Sequence, residues 1–382
     1  MSGSPRAVIP VSAPTLGGNE AKYVMDCLET TWISSTGKYL EEFEEAFARF
    51  CGVKYAMTCS NGTSALHLAL LALGLAPGEE VIVPTLTFVA SANAVVYCGA
   101  KPVFVDVDPE IWNLDPRQIE AQITPRTRGI IAVHLGGHPA DMDVVMAIAR
   151  RHNLFVLEDA AQAHGAEVHG RRVGSIGDIG SFSFYGNKIV STGEGGMLTT
   201  NDEALARKVQ LLKNQGMDPD RRYWHPVVGF NYRMTNVQAA IGLAQMERVD
   251  WQLARRAEIV SWYREELAGT EDITWQIEKD WARHAWWMFT AVLGEGFGAD
   301  RDAVIRRMAE RGIQTRRVVY PMHQLVPYQA ASRGRQFPVA DGLGARGINL
   351  PTWAGVTRDD VRFICQCLRA SANTPRVVPV SA

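Results

Sequence analysis

The sequence predicts an α/β protein with a large, mostly parallel sheet layered by helices, followed by a smaller α+β C-terminal domain. Between about residue 50 and residue 200, short β-rich runs ("KYAMTC", "EEVIVP", "KPVFVDV", "RGIIAVH", "LFVLED", "GSFSFY", "GGMLTT") alternate with helical patterns. That alternation is how parallel strands joined by crossover helices are written in sequence. The chain has 382 residues, 47% hydrophobic and 21% charged, enough for a large core divided between two domains. Beyond about residue 268, "HAWWMFTAVL" and "IQTRRVV" read as strands, and 301–311 and 357–371 as helices.

In chain order, the opening "MSGSPRAVIPVSAP" lacks the apolar core of a signal peptide, and no later apolar run reaches about 18 residues, so the expected compartment is the cytoplasm. The strand "KYAMTC" leads into "NGTSALHLALLALGL", cap-type residues followed by an apolar helix. "DMDVVMAIARRHN" carries an apolar stripe at helical spacing. From Thr235, whose T-x-x-Q spacing to Gln238 is that of a capping box, one long helical stretch is expected to bridge the two domains. The two chain ends are expected to be loosely held.

Charge excludes some functions. Net charge is -2 and the sequence pI about 6.5, with basic and acidic residues interspersed, so no nucleic-acid footprint is present. Cys27, Cys51, Cys59, Cys98, Cys365 and Cys367 have neither CxxC spacing nor a disulfide framework and read as reduced core residues.

In sheets of this kind ligands gather at the carboxyl ends of the strands, and three such ends carry chemistry. Asn61-Gly62-Thr63-Ser64 opens a helix, where unpaired N–H groups and a partial positive charge suit an anion. The same residues also make an ordinary helix cap. "LFVLED" ends in Glu158 and Asp159, with Gln162 and His164 close behind. A carboxylate there can hold a cationic heterocycle nitrogen, attracting it by roughly 4 kcal/mol at 4 Å and an effective dielectric near 20. A capping aspartate has the same signature. Lys188 follows the strand "SFSFY" inside "GNKIVSTGEGG", which matches neither GxxxxGK[ST] nor GxGxxG. A partly desolvated lysine has a lowered pKa and can bond an aldehyde; a solvated surface lysine is the plain alternative. Anion site, carboxylate and amine together are what pyridoxal 5'-phosphate needs, and Phe88 in "VPTLTFVAS" can cover its ring.

His134, His138 and Asp141 have ligand-like spacing but sit on a turn, so no metal is expected. Tyr223, Trp224, His225, Tyr320 and His323 fall in loops where rings can meet a sugar or base, and the tryptophans of "HAWWMF" read as core.

These motifs, with "TTWISSTGKYLEEFE", "CGAKPVFVDVDP", "VGFNYRMTNVQAAIGLAQMERVD", "YPMH" and "INLPT", span nearly the whole chain. They resemble the sugar-nucleotide aminotransferases of the fold-type I pyridoxal-phosphate class, and among them the GDP-perosamine synthases. The resemblance implies a large, mixed but mostly parallel cofactor-binding domain over 1–250 and a small α+β domain over 251–382. It implies that Lys188 bonds the cofactor aldehyde, that Asp159 meets the pyridine nitrogen, and that Gln162 and Phe88 flank the ring. Phosphate contacts are implied for Gly62, Thr63, Ser64 and Ser183, and sugar-nucleotide contacts for Tyr320 and His323. Asn231 of "GFNYR" is implied to reach the neighbouring subunit's cofactor, which requires a homodimer. The implied reaction moves an amino group from L-glutamate to C4 of a 4-keto-6-deoxy sugar nucleotide. Gln162 stands where perosamine synthases often carry Glu and many other sugar aminotransferases carry Gln. Related dehydratases replace the lysine with His, so Lys188 argues against that branch.

Overall fold

The computed structural model describes residues 8–372. The expected looseness of the outermost residues lies outside that span. The main sheet contains β1 (Tyr55–Cys59), β2 (Glu80–Pro84), β3 (Lys101–Val105), β4 (Thr127–Val133) and β5 (Phe155–Asp159). After a short antiparallel pair, β6 (Glu167–Val168) and β7 (Arg171–Arg172), it is completed by β8 (Ile179–Ser183) and β9 (Gly196–Thr200). The order across the sheet is β1-β9-β8-β5-β4-β2-β3. Pairing is parallel from β3 through β8, while β9 is antiparallel to both its neighbours, so β9 alone runs against the other six. The reversal has a local cause: the β8–β9 connection contains no crossover helix, and without one the chain turns back on itself. That connection carries Lys188.

Helices cover both faces. On one side lie α1 (Glu20–Glu29), α2 (Lys38–Cys51) and α5 (Met142–His152); on the other are α3 (Gly62–Ala72), α4 (Ala90–Tyr97) and α6 (Glu203–Lys213). The strands feed both layers alternately, with Val81 and Val83 in one core cluster and Ile82 in the other. In α2, Tyr39, Phe43, Phe47 and Cys51 recur every four residues, and all are buried. All six cysteines are buried and unpaired.

The single long helix expected from residue 235 is two helices. The Thr235–Gln238 capping box opens α7 (Asn236–Met246), and the chain leaves helical geometry at Arg248 (φ -122°, ψ 8°) before α8 (Val249–Leu267) begins. Within α8, Val249 and Leu253 pack into the large core, whereas Ile259, Val260, Tyr263 and Leu267 pack into a second core. That second core lies under an antiparallel sheet, β10-β12-β14-β13, made of β10 (Ile273–Trp275), β12 (Phe289–Leu293), β13 (Arg316–Arg317) and β14 (Gly347–Leu350). β11 (Ala282–Arg283) pairs instead with β6 of the large domain. The helices here are α9 (Arg301–Glu310), α10 (Pro338–Arg346) and α11 (Arg358–Ala370). The expected strand over "IQTRRVV" shrinks to Arg316–Arg317, because the chain beyond it turns back to pack Val318 and Met322 into the large-domain core.

Candidate active site

Because six strands share one direction, the segments leaving β1, β2, β4, β5 and β8 emerge at one edge of the sheet. There they surround a cavity of about 760 Å³ closed on its far side by the small domain. Gly62, Thr63, Ser64, Phe88, Asp159, Gln162, Ser183 and Lys188 all line it. Asn231, Tyr320 and His323 do not.

At the end of β1, Asn61 Oδ1 accepts the Ser64 N–H at 2.8 Å, and Ser64 Oγ accepts the Asn61 N–H at 3.1 Å. This reciprocal cap orders the first turn of α3, and it occupies Ser64. The donors left open are the N–H groups of Gly62 and Thr63, the first two positions of the helix, which have no partner among the described residues. Gly62 is required there: a Cβ on it would lie 2.7 Å from Ser183 Cβ. The absent side chain lets β8 close against the helix and leaves a bare backbone surface facing the cavity.

At the end of β5, Asp159 is buried, with Oδ2 accepting the Ser91 hydroxyl at 2.7 Å and Oδ1 the Ala161 N–H at 3.2 Å. Gln162 Oε1 accepts the Gly136 N–H at 2.8 Å, which turns its NH2 group outward as a donor. One residue earlier, Glu158 is fully buried and faces away into the fold. It accepts the N–H groups of Gly174, Ile176 and Gly177 at 2.7–2.8 Å and lies 3.1 Å from His134 Nε2. Burial raises this carboxyl, but the His134 hydrogen bond and charge and the backbone donors outweigh it and hold the group below its usual range.

Lys188 sits in the β8–β9 connection, its N–H bonded to the Tyr185 carbonyl at 2.8 Å. The preceding Asn187 carbonyl accepts from the Trp287 indole at 2.8 Å and from the Ser12 hydroxyl at 3.2 Å, tying the loop to the small domain and to the N-terminal segment. The Lys188 amine lies 4.3 Å above the Trp287 ring and forms no ion pair among the described residues. Burial lowers it to about 8, opposed in part by the Asp159 carboxylate. A lysine without a carboxylate against it, depressed toward neutrality in a cavity, is suited to act as a nucleophile and proton carrier.

The sequence predicts both tryptophans of "HAWWMF" as core. Trp286 is buried in the small-domain core, but Trp287 lines the cavity under the reactive amine. Its carbonyl accepts from the buried Arg256 guanidinium at 2.9 Å, so both ends of the residue are held. Only the period-two alternation in "AWWMF" could have separated the two tryptophans.

The remaining candidates serve other contacts. His323 Nδ1 lies 2.8 Å from Thr85 Oγ1 and Nε2 lies 2.9 Å from Asp341 Oδ1, which ties the segment after β2 to α10. Tyr320 is half exposed beneath the Arg317 guanidinium, 3.2 Å from its ring centroid. Asn231 is exposed and accepts from Arg233 at 3.0 Å. Asp141 caps α5 at Val144, His138 Nδ1 contacts the Pro139 carbonyl at 2.7 Å, and His134 Nδ1 accepts the Ala140 N–H at 3.0 Å. Among the described residues, no group of three or more His, Cys, Asp and Glu is arranged to hold a metal. His164 is fully buried among Phe47, Phe182 and Phe184; burial, then the Lys188 and Arg256 charges, push it down to about 3, so it is neutral.

Comparison with known proteins decides the family. The DegT/DnrJ/EryC1/StrS aminotransferase family model matches residues 14–369. The chain belongs to this family. It is 56% identical over 369 residues to the GDP-perosamine synthase of Caulobacter vibrioides, covering 96% of this chain and 99% of that protein. It is 46% identical to the GDP-perosamine synthase of Escherichia coli O157:H7, covering 94% and 97%. The crystal structure of DesI in the presence of its TDP-sugar product superposes with a TM-score of 0.90 at 32% identity, covering 97% of this chain and 94% of DesI. Like the DegT/DnrJ/EryC1/StrS aminotransferases as a class, the chain is a pyridoxal-phosphate-dependent transaminase. The cavity fits that cofactor by its own chemistry: an open helix N-terminus at Gly62 for the phosphate, a buried carboxylate at Asp159 for the ring nitrogen, and an unpaired amine at Lys188 for the aldehyde.

Proposed function

We propose that this chain transfers the amino group of L-glutamate to C4 of GDP-4-keto-6-deoxymannose, giving GDP-perosamine and 2-oxoglutarate. The observation that carries the reading is the meeting, in one cavity, of the Lys188 amine, the Asp159 carboxylate and the Gly62 helix start. The near-full-length likeness to GDP-perosamine synthases supports the choice of sugar and carrier.

Bound pyridoxal phosphate supplies an aldehyde that takes up nitrogen and a ring that withdraws electrons from the bond being broken. The N–H groups of Gly62 and Thr63, with the Ser183 hydroxyl, would hold its phosphate, while Ser64, its hydroxyl bonded to the Asn61 carbonyl, orders the turn that presents them. Asp159 keeps the ring nitrogen protonated, its own carboxylate fixed by Ser91 and Ala161. Gln162 and Phe88 fix the ring plane. The Lys188 amine would take the proton from the donor's α-carbon and, in the second half-reaction, deliver one to C4 of the sugar. Glutamate and keto sugar occupy the site in turn, so the kinetics are ping-pong.

The large cofactor-holding domain spans 1–250 and the small domain 251–382. The enzyme works as a cytoplasmic homodimer in which Asn231, exposed and outside its own chain's cavity, reaches the neighbouring subunit's cofactor; Tyr320 and His323, also outside that lining, are assigned to the sugar nucleotide on the family likeness alone. Nitrogen-labelled glutamate offered with a panel of keto-sugar nucleotides tests the assignment: label at C4 of the GDP sugar is expected. Transfer only to C3, or only to a TDP or UDP sugar, would replace it.

A further inference from the structure

The geometry points to an oxyanion subsite on the small-domain wall of the cavity, formed by Arg316 and Asn349. It holds a carboxylate of the amino donor or the diphosphate of the sugar nucleotide. The inference rests on the transaminase reading above.

Strand register carries the argument. Antiparallel pairing sets Thr290 opposite Asn349, and Asn349 opposite Arg316, so these three side chains form one row across β12, β14 and β13. In the neighbouring row Ala291 and Ile348 turn to the other face and are wholly buried in the small-domain core, while Arg317, at the end of the two-residue strand, also borders the cavity. Thr290, Asn349 and Arg316 all line the cavity. Asn349 Oδ1 accepts the Thr290 hydroxyl at 2.6 Å, which fixes the amide and leaves its NH2 free to donate.

Beside that amide, Arg316 is exposed and has neither an acidic nor a hydrogen-bonding partner among the described residues. Its neighbour Arg317 is engaged differently, stacked on Tyr320. A planar five-donor fork next to an oriented amide donor matches a carboxylate or a phosphate and matches little else in an aqueous cavity. Thr290 is three residues beyond Trp287, whose ring lies under the Lys188 amine, so the row begins at most about 10 Å along the wall from that residue. Both substrates carry an anion a few bonds from the carbon that exchanges nitrogen, which suits that separation.

The test uses Arg316→Gln and Arg316→Lys in the cofactor-loaded enzyme. Each half-reaction is followed separately, and glutarate and GDP are titrated calorimetrically as binding probes. Loss of one charged bidentate contact is expected to weaken binding about 10- to 100-fold, with Arg316→Lys recovering part of it because charge is kept and the fork is lost. Weakening confined to glutamate and glutarate assigns the subsite to the donor carboxylate. Weakening confined to the sugar nucleotide and GDP assigns it to the diphosphate. All four constants within twofold of wild type would overturn the proposal. Arg316 stands on an edge strand, and unchanged thermal melting is expected. Should the variants melt early, Asn349→Asp places a negative charge in the same row and must weaken the same ligands, and normal binding there overturns the proposal equally. A wild-type enzyme that fails to react with glutamate would sink the transaminase reading instead, so the two failures are distinct.

Discussion

Replacing Gly62 by alanine tests the phosphate-binding end of the site through one atom. The added Cβ would lie 2.7 Å from Ser183 Cβ, 3.2 Å from its Oγ and 3.3 Å from its Cα, and since ordinary contact begins near 3.4 Å, helix and strand must part by about 0.7 Å. The Ser183 backbone belongs to the middle of the sheet, so α3 has to give. Overpacking of this kind costs about 1–3 kcal/mol of stability. The same shift draws the Gly62 and Thr63 N–H groups away from a phosphate that needs them at about 2.7–2.9 Å, so one or two charge-assisted bonds worth about 1.5–3 kcal/mol each are weakened. Cofactor affinity is expected to fall about 10- to 100-fold, read by visible absorbance during titration of cofactor-free protein, with a melting point several degrees lower. Adding Ser183→Gly, which removes the struck Cβ, should recover the melting point. Wild-type affinity and melting in Gly62→Ala would refute the close approach on which the cradle depends.

Four further outcomes follow from the same geometry. Asp159→Asn removes a charge attraction of about 4 kcal/mol and should cut turnover at least about 100-fold while weakening cofactor retention; wild-type rates would mean another group holds the ring nitrogen. Glu158→Gln leaves a buried cluster of N–H donors facing a neutral amide and should cost about 2–4 kcal/mol in denaturant unfolding. In the wild type the Glu158 carboxyl is held below its usual value near 4.5, so its stabilisation is complete above that pH and is lost as pH falls through the lowered value. Because burial lowers Lys188 to about 8, the rate at which cofactor-free protein takes up pyridoxal phosphate should rise with a midpoint near pH 8; a midpoint near 10.5 would show an ordinary, solvated lysine.

Much of this was legible because strand ends announce themselves. The alternation of β-rich and helical runs located the sheet; Asp159 closes one apolar strand, and Gly62 and Lys188 lie a few residues beyond two others, so topology brings them to one edge. What periodicity does not encode is direction: nothing in "GGMLTT" marks β9 as reversed, since only the missing crossover helix decides it. The break at Arg248 was hidden because no proline or glycine marks the junction between α7 and α8. Trp287 and His323 illustrate a different limit. Their roles arise from the small domain packing against the large one, where Trp287 meets the Lys188 loop and His323 meets Thr85. Such contacts join residues about 100 to 240 positions apart, and no local pattern reports them. Ser64 was placed correctly at the helix start, but its hydroxyl belongs to the cap, which leaves the backbone of Gly62 and Thr63 as the open donors.

The measurement that bears most directly on the whole account is reduction of the cofactor-loaded protein with borohydride, followed by peptide mass analysis. The cofactor mass should appear on the peptide carrying Lys188 and nowhere else, and Lys188→Ala should neither retain it nor transfer nitrogen. A label on a different lysine, or normal turnover without Lys188, would contradict the chemistry assigned to this cavity.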